Sequence, residues 1–281
     1  MRRGNVWRDL VRSPQALISA IFLALVALVA LTYPWWYPIS PLSQDLLGTL
    51  RPPMTETGSG MHLLGTDQLG RDLMARVLLG ARISLLVGGV ALLISLVFGT
   101  LVGLLAGYFG GWVDAVITGA TETVMALPFI VLAIAVIGAL GSSTLVVILT
   151  LGLTSWVGYA KLVRARVLEL REEDYVVAAF ALGQRTDRGL WRHVLPNALP
   201  LIIVESTLLL GTLILAEAGL SFLGLGIQPP TPTWGGILSE GQMYVAVAPW
   251  IAVFPGVFLL LTVLATNFLG DFLRDQFSVG S

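Results

Sequence analysis

The sequence predicts an all-α, polytopic membrane protein with six transmembrane helices, its N-terminus and C-terminus both on the cytoplasmic side. Three observations carry that expectation. The 281 residues are 56% hydrophobic and only 12% charged, with a mean hydropathy of +0.86, far from the balance of a soluble domain. Apolar runs long enough to cross a hydrocarbon core of about 30 Å recur along the chain. The basic residues, finally, fall unevenly in the segments between those runs.

The absence of cysteine excludes a disulfide framework, a thiolate metal site and a cysteine nucleophile. Lys161 is the sole lysine and follows Ala160, so the Gly-Lys-Ser/Thr of a phosphate-cradling Walker A loop cannot be present.

Before the first apolar run, Arg2, Arg3, Arg8 and Arg12 stand against a single Asp9, and Gln15 to Tyr33 is then uninterrupted. A cleaved signal peptide shares that beginning, but no Ala-x-Ala-like site follows and the run is long enough to span. Trp35, Trp36 and Tyr37 form an aromatic belt at the far interface. Pro34 to Arg82 reads as a loop without a strong period, rich in proline and glycine. Within it His62 lies near the carboxylates of Asp67 and Asp72; a lone histidine without a second at ligand spacing reads as structural, and no metal site is expected.

Five further spans follow, at about Ile83 to Gly107, Val116 to Leu140, Thr144 to Tyr159, Leu199 to Gly219 and Ala248 to Leu269. Gly99, Gly103 and Gly107 recur every fourth residue, a small-residue ridge that lets another helix approach closely. With six spans and the N-terminus inside, the four N-terminal arginines, the cluster from Lys161 to Arg192 and Arg274 are cytoplasmic. Arg51, Arg71, Arg76 and Arg82 are outside. That imbalance sets the orientation.

Glu122, Glu205 and Glu217 fall inside the drawn spans, where a bare charge costs a few kcal/mol or more, so each is a candidate pore or helix-contact residue. Glu205 and Glu217 are separated by about 18 Å along one helix and cannot act as a carboxylate pair.

The polar stretch Glu172-Glu173-Asp174-Tyr175-Val176-Val177-Ala178-Ala179-Phe180-Ala181-Leu182-Gly183 interrupts the membrane runs. Asp174 is placed to cap a short helix from Tyr175 to Leu182, with Gly183 as its stop and Ala178 and Ala179 keeping its surface small. A second short turn begins near Thr186, and Pro196 is expected to end it before the next span. Such a low-bulk, arginine-flanked element suits docking into a groove on a soluble partner; a plain positive-inside loop would explain its arginines but not the Ala-Ala-x-x-x-Gly spacing.

That spacing, followed by His193-Val194-Leu195-Pro196-Asn197, resembles the Glu-Ala-Ala loop of ABC importer permeases. The blocks Gly65 to Asp72, Gly80 to Leu85, Ala216 to Gly226 and Gln228 to Gly235 resemble the C-type permease subunit of the dipeptide, oligopeptide and nickel importers. Val177 replaces the glutamate of the loop, and Phe180 stands where an arginine is frequent.

The resemblance implies a type I ABC importer permease fold: residues 1–82 as an N-terminal segment with the first helix and an extracytoplasmic loop, and residues 83–281 as the core with a coupling helix at about 172–196. It assigns coupling to Asp174, Tyr175, Ala178, Ala179, Gly183, His193 and Pro196. It implies a non-enzymatic, pore-forming subunit in a bacterial or archaeal inner membrane. The expected partners are a second permease, two ATPase subunits that bind ATP and magnesium, and an extracytoplasmic solute-binding protein, with no cofactor in this chain and no nucleic acid. Peptides are the first expected cargo, with nickel, glutathione or another small solute as alternatives. An ion-coupled secondary transporter using the glutamates is a reading of a different class, and an intramembrane enzyme using His62 or His193 is a third.

Overall fold

Pro14 lacks an N–H that a first helical turn would leave unpaired anyway, and it opens the first long helix after a short one, α1 (Val6–Arg12). The computed structural model describes residues 6–58, 60–174 and 194–278. In it α2 (Pro14–Trp36) is followed by a hairpin, β1 (Thr55–Thr57) and β2 (Gly60–His62), with Thr55 opposite His62. Then come α3 (Leu73–Phe109), α4 (Gly111–Met125), α5 (Phe129–Leu140) and α6 (Thr144–Arg171). After the segment outside the described residues lie α7 (Leu195–Phe222), α8 (Trp234–Gln242) and α9 (Trp250–Ser278). Among the described residues 5 helices are long and apolar enough to cross a membrane, and α4 with α5, bent by 87° at their junction, makes a sixth crossing.

Several boundaries differ from the sequence reading. The second span begins at Leu73 rather than Ile83, because the Asp72 carboxylate accepts a hydrogen bond from the Ala75 N–H at 2.6 Å and caps the helix there; Arg71 and Arg76 had diluted the apolar signal. The third, expected to be unbroken from Val116 to Leu140, is two helices. Pro128 has no N–H to give and biases Leu127 away from helical geometry, so the helix stops at Met125. The fourth continues past Tyr159 to Arg171 through good helix formers, including an Arg166–Glu169 ion pair at 2.6 Å one turn apart. Pro196 does not close the preceding segment; it sits in the first turn of α7, where proline is tolerated.

Contacts between helix ends fix the topology. At one end, the Tyr37 hydroxyl after α2 donates to Asp72 at the start of α3 (3.0 Å), Trp250 at the start of α9 donates to the Thr66 carbonyl (3.1 Å), and Ser239 of α8 donates to the Phe222 carbonyl at the end of α7 (2.8 Å). At the other end, Arg171 closing α6 donates to the carbonyls of Gly107 and Tyr108 at the end of α3. These are the outer and cytoplasmic ends of a six-crossing bundle. Trp234 of α8 is buried at the outer end, donating to the Val77 carbonyl at 3.1 Å and stacking on Phe258 with ring centroids 6.5 Å apart.

The glycine ridge of α3 packs on α6. A Cβ added at Gly103 would stand 2.6 Å from the Ala160 carbonyl oxygen, and one at Gly107 would stand 2.8 Å from the Val167 Cβ. Helices associate in lipid through such close contact, not through expulsion of water. Gly103→Leu is therefore expected to destabilise the solubilised protein by about 2 kcal/mol through overpacking. Gly89→Leu, at a position with no heavy atom within 4 Å, is the control. Equal melting temperatures of the two variants would contradict the contact.

Candidate coupling surface and polar sites

At the outer end the loop before α3 folds back on itself around Asp67. This fully buried carboxylate takes N–H groups from Leu69 (2.8 Å) and Arg71 (3.0 Å) on one oxygen. Its other oxygen takes the Arg71 Nε at 2.6 Å and the Arg76 guanidinium. Across the bundle Glu240 of α8 accepts from Arg71 Nη2 (2.8 Å), from Arg76 Nη1 and Nη2 (2.8 and 2.9 Å) and from Gln68 Nε2 (2.8 Å). Two cations and two anions cancel here, so Arg71 and Arg76 add no free positive charge to the outer face. That accounts for two of the four arginines standing against the positive-inside trend.

His62 belongs to the same layer. Its Nδ1 is 2.7 Å from Asp72 Oδ2 and its Nε2 is 2.8 Å from Thr57 Oγ1, so both ring nitrogens are engaged and the ring holds the hairpin to the cap of α3. Burial and the neighbouring Asp72 carboxylate both push the Tyr37 hydroxyl above its usual pKa.

Burial by itself would raise the pKa of Glu240; the Arg76 ion pair, the Gln68 hydrogen bond and the Arg71 charge outweigh it and hold the carboxyl below its ordinary value of 4.5. A group whose pKa is depressed on folding contributes stability above its unfolded pKa and loses it as pH falls through the folded one. The melting temperature is accordingly expected to drop as pH falls below about 4.5, with a shallower acid slope in Glu240→Gln. An identical slope in both proteins would show that Glu240 carries no such linkage.

The three glutamates singled out from sequence lie apart. Glu217 is fully buried between α3 and α7, accepting from Ser84 Oγ (2.8 Å) and Ser221 Oγ (2.7 Å), which makes it a helix-contact residue by position. Glu205 is half-buried on α7, facing Gly158 of α6 next to the 2.6 Å hydrogen bond from the Tyr159 hydroxyl to Ser206 Oγ. Glu122 is exposed on α4 and lines a cavity of about 280 Å³ with Thr118, Thr121, Lys161 and Arg164. No two of them are bonded to each other.

Of the residues assigned to coupling, Asp174 and Pro196 are described, and both are exposed at the cytoplasmic end. Tyr175, Ala178, Ala179, Gly183 and His193 lie outside the described residues. The flanks of that segment are fixed: Arg171 is tied to the end of α3, and Leu170, Val194 and Ala198 are buried in one cluster with Val163 and Val167. Arg164 of α6 forms a two-pronged ion pair with Asp114 of α4. Sequence reading missed the four-residue outer charge cluster and this pair. Glu240 lies more than 160 residues from its partners and Asp114 lies 50 residues from Arg164, and the signal available was a charge placed beside an apolar run.

The described residues form a multi-pass bundle of long apolar helices, in which α6 and α7 flank a polar stretch of sequence and are packed together at its two ends, the architecture of an integral membrane protein. The chain belongs to the family of binding-protein-dependent transport system inner membrane components, whose model matches residues 99–278; that of the N-terminal transmembrane domain of oligopeptide transport permease C matches residues 3–53. It is 39% identical over 271 residues to a dipeptide transport system permease protein of Alkalihalophilus pseudofirmus, covering 96% of this chain and 88% of that one. It is 40% identical to a di/tripeptide transport system permease protein of Pseudomonas aeruginosa (96% and 89% covered) and 38% identical to a glutathione transport system permease protein of Pectobacterium atrosepticum (96% and 88%). Among solved structures, the MetNI methionine ABC transporter in an inward-facing conformation matches with a TM-score of 0.58 at 22% identity, covering 73% of this chain and 97% of that one, a likeness of fold. The chain is thus a multi-pass membrane permease subunit of the ABC importer class.

Proposed function

We propose that this chain forms one half of the translocation pathway of an ATP-driven importer of di- and oligopeptides in a bacterial inner membrane. The observation that carries the cargo is that relatives named for dipeptide and di/tripeptide transport align along 96% of the chain at 39% and 40% identity. Glutathione is itself a tripeptide, and the relative named for it at 38% identity favours that cargo as the second reading.

In this reading a second homologous permease completes the pathway, and two cytoplasmic subunits bind ATP and magnesium. An extracytoplasmic binding protein delivers the solute. The segment bounded by Asp174 and Pro196 transmits closure of the ATPase pair; Tyr175, Ala178, Ala179, Gly183 and His193 are its proposed contact residues. Residues 1–82 act as an N-terminal segment on a permease core of residues 83–281. The sequence supports the division of labour, because it lacks the Gly-Lys-Ser/Thr of a phosphate loop.

The test is reconstitution of the full complex in proteoliposomes with its binding protein. Uptake of a labelled dipeptide that requires both ATP and the binding protein is the expected result, with no ATP hydrolysis by the isolated chain. Uptake of glutathione but of no dipeptide would move the cargo to the second reading. ATP-independent uptake driven by an ion gradient would overturn the importer reading.

A further inference from the structure

The break in the third span poses a physical problem that its surroundings answer. Ala126, Leu127 and Pro128 are non-helical and exposed on the surface of this chain. Leu127 shares a cavity with Thr154 and Val157 of α6, about 15 to 20 Å in from the outer end of that helix and so near mid-membrane. Non-helical backbone at that depth is tolerated where it is covered by protein or lines a water-filled cavity, not against lipid. Just cytoplasmic of the break stand two charges of opposite sign, Glu122 on α4 and Lys161 on α6, lining one cavity. Neither has an ion-pair or side-chain hydrogen-bond partner among the described residues. Their neighbour Arg164, by contrast, is neutralised by Asp114. Free charges within a span mark a substrate or ion path.

The two features lie along the same pair of helices, about one turn apart. Glu122 and Lys161 line a cavity of about 280 Å³ with Thr118 and Ala160, and Val124 and Val157, the next positions along α4 and α6, line one of about 200 Å³ at the break with Leu127, Phe129 and Leu132. One end offers an anion and a cation, the other an apolar trough.

We propose that this groove is a binding site on the translocation path for short peptides with free termini: Glu122 receives the α-ammonium, Lys161 the α-carboxylate, and the trough at the 126–128 break takes an apolar side chain. The proposal rests on the peptide-import reading above and adds to it the place where this subunit touches its cargo. A charged group left facing an uncharged side chain loses a charge-assisted hydrogen bond.

The test uses the complete complex in proteoliposomes, with labelled alanyl-phenylalanine as probe. Glu122→Gln and Lys161→Gln are each expected to lower the peptide moved per ATP hydrolysed by about tenfold, the equivalent of one charged hydrogen bond. Because the chain has no cysteine, a single Thr118→Cys substitution, at a half-buried position lining the same cavity, also lets a thiol reagent report occupancy of the groove, and saturating dipeptide should slow its modification. Unchanged peptide moved per ATP in both charge variants, with dipeptide uptake intact and no protection of the cysteine, overturns the site alone. Failure of the unmodified complex to take up any peptide overturns the import reading and the site with it. Protection of the cysteine by anionic lipid but not by dipeptide assigns the groove to a headgroup and also overturns the proposal.

Discussion

Replacing Ala178 by glutamate is expected to abolish transport without unfolding the bundle. The residue lies in the polar stretch that interrupts the membrane runs, outside every span, so insertion into hydrocarbon should be nearly indifferent to it. In the proposed coupling role it meets a groove on an ATPase subunit, where its single methyl group leaves room. A carboxylate there must be desolvated without a partner, which costs several kcal/mol, enough to reduce docking by about a hundredfold or more. Binding-protein-stimulated ATP hydrolysis and uptake should fall together while expression and pairing with the second permease persist. Gly183→Glu should act in the same direction, since the helix stop that the sequence leads us to propose at Gly183 calls for a left-handed backbone that a side chain disfavours by about 1 to 2 kcal/mol. Uptake and stimulation at the unmodified level in Ala178→Glu would remove the coupling assignment.

The second large effect is expected at Arg76. Its guanidinium is buried and joins Asp67 to Glu240, so Arg76→Met leaves two carboxylates facing Arg71 alone. Removing one member of a buried ion cluster costs about 3 to 5 kcal/mol, chiefly because the remaining charge is stranded. Thermal unfolding of the solubilised protein should report that loss. Arg76→Met combined with Glu240→Leu restores the balance of one cation and one anion and should recover a substantial part of it; a double variant no more stable than the single would show that charge balance is not what the cluster provides. Because the cluster ties α8 to the loop before α3, the single variant should also release α8 from the outer face, measurable as faster hydrogen exchange over Trp234–Gln242.

The membrane spans were readable because lipid imposes a one-dimensional rule: about 20 apolar residues cross, whatever their neighbours do. Gly99, Gly103 and Gly107 were readable for a related reason, since a ridge on one helix is a local pattern and α6 had merely to lie against it. Less local features were misread. Asp72 starts α3 within what the sequence presents as a loop, because one capping hydrogen bond outweighs the polar composition around it. Pro128 breaks a run whose hydropathy is continuous, because hydropathy does not register a missing N–H. The candidate site divides in the same way. The Ala178-Ala179-x-x-x-Gly183 spacing stands in consecutive residues and could be recognised, whereas the placing of Glu122 and Lys161 on one cavity required two helices to be set side by side.

By itself the sequence determined the class of protein and the apolar runs that cross the membrane. Each follows from local composition set against the bilayer. The tertiary structure alone decided which charges are spent and which are free. Arg71 and Arg76, which the sequence places among the outer arginines, form a neutral clasp with Asp67 and Glu240; Glu217, in sequence a pore or a helix-contact candidate, is bonded by two serines between helices. Glu122 and Lys161 remain open to a cavity. Whether a charge in a membrane protein is structural or functional depends on what stands within about 3 Å of it, and that distance is set by helices whose contacts lie tens to hundreds of residues apart in the chain.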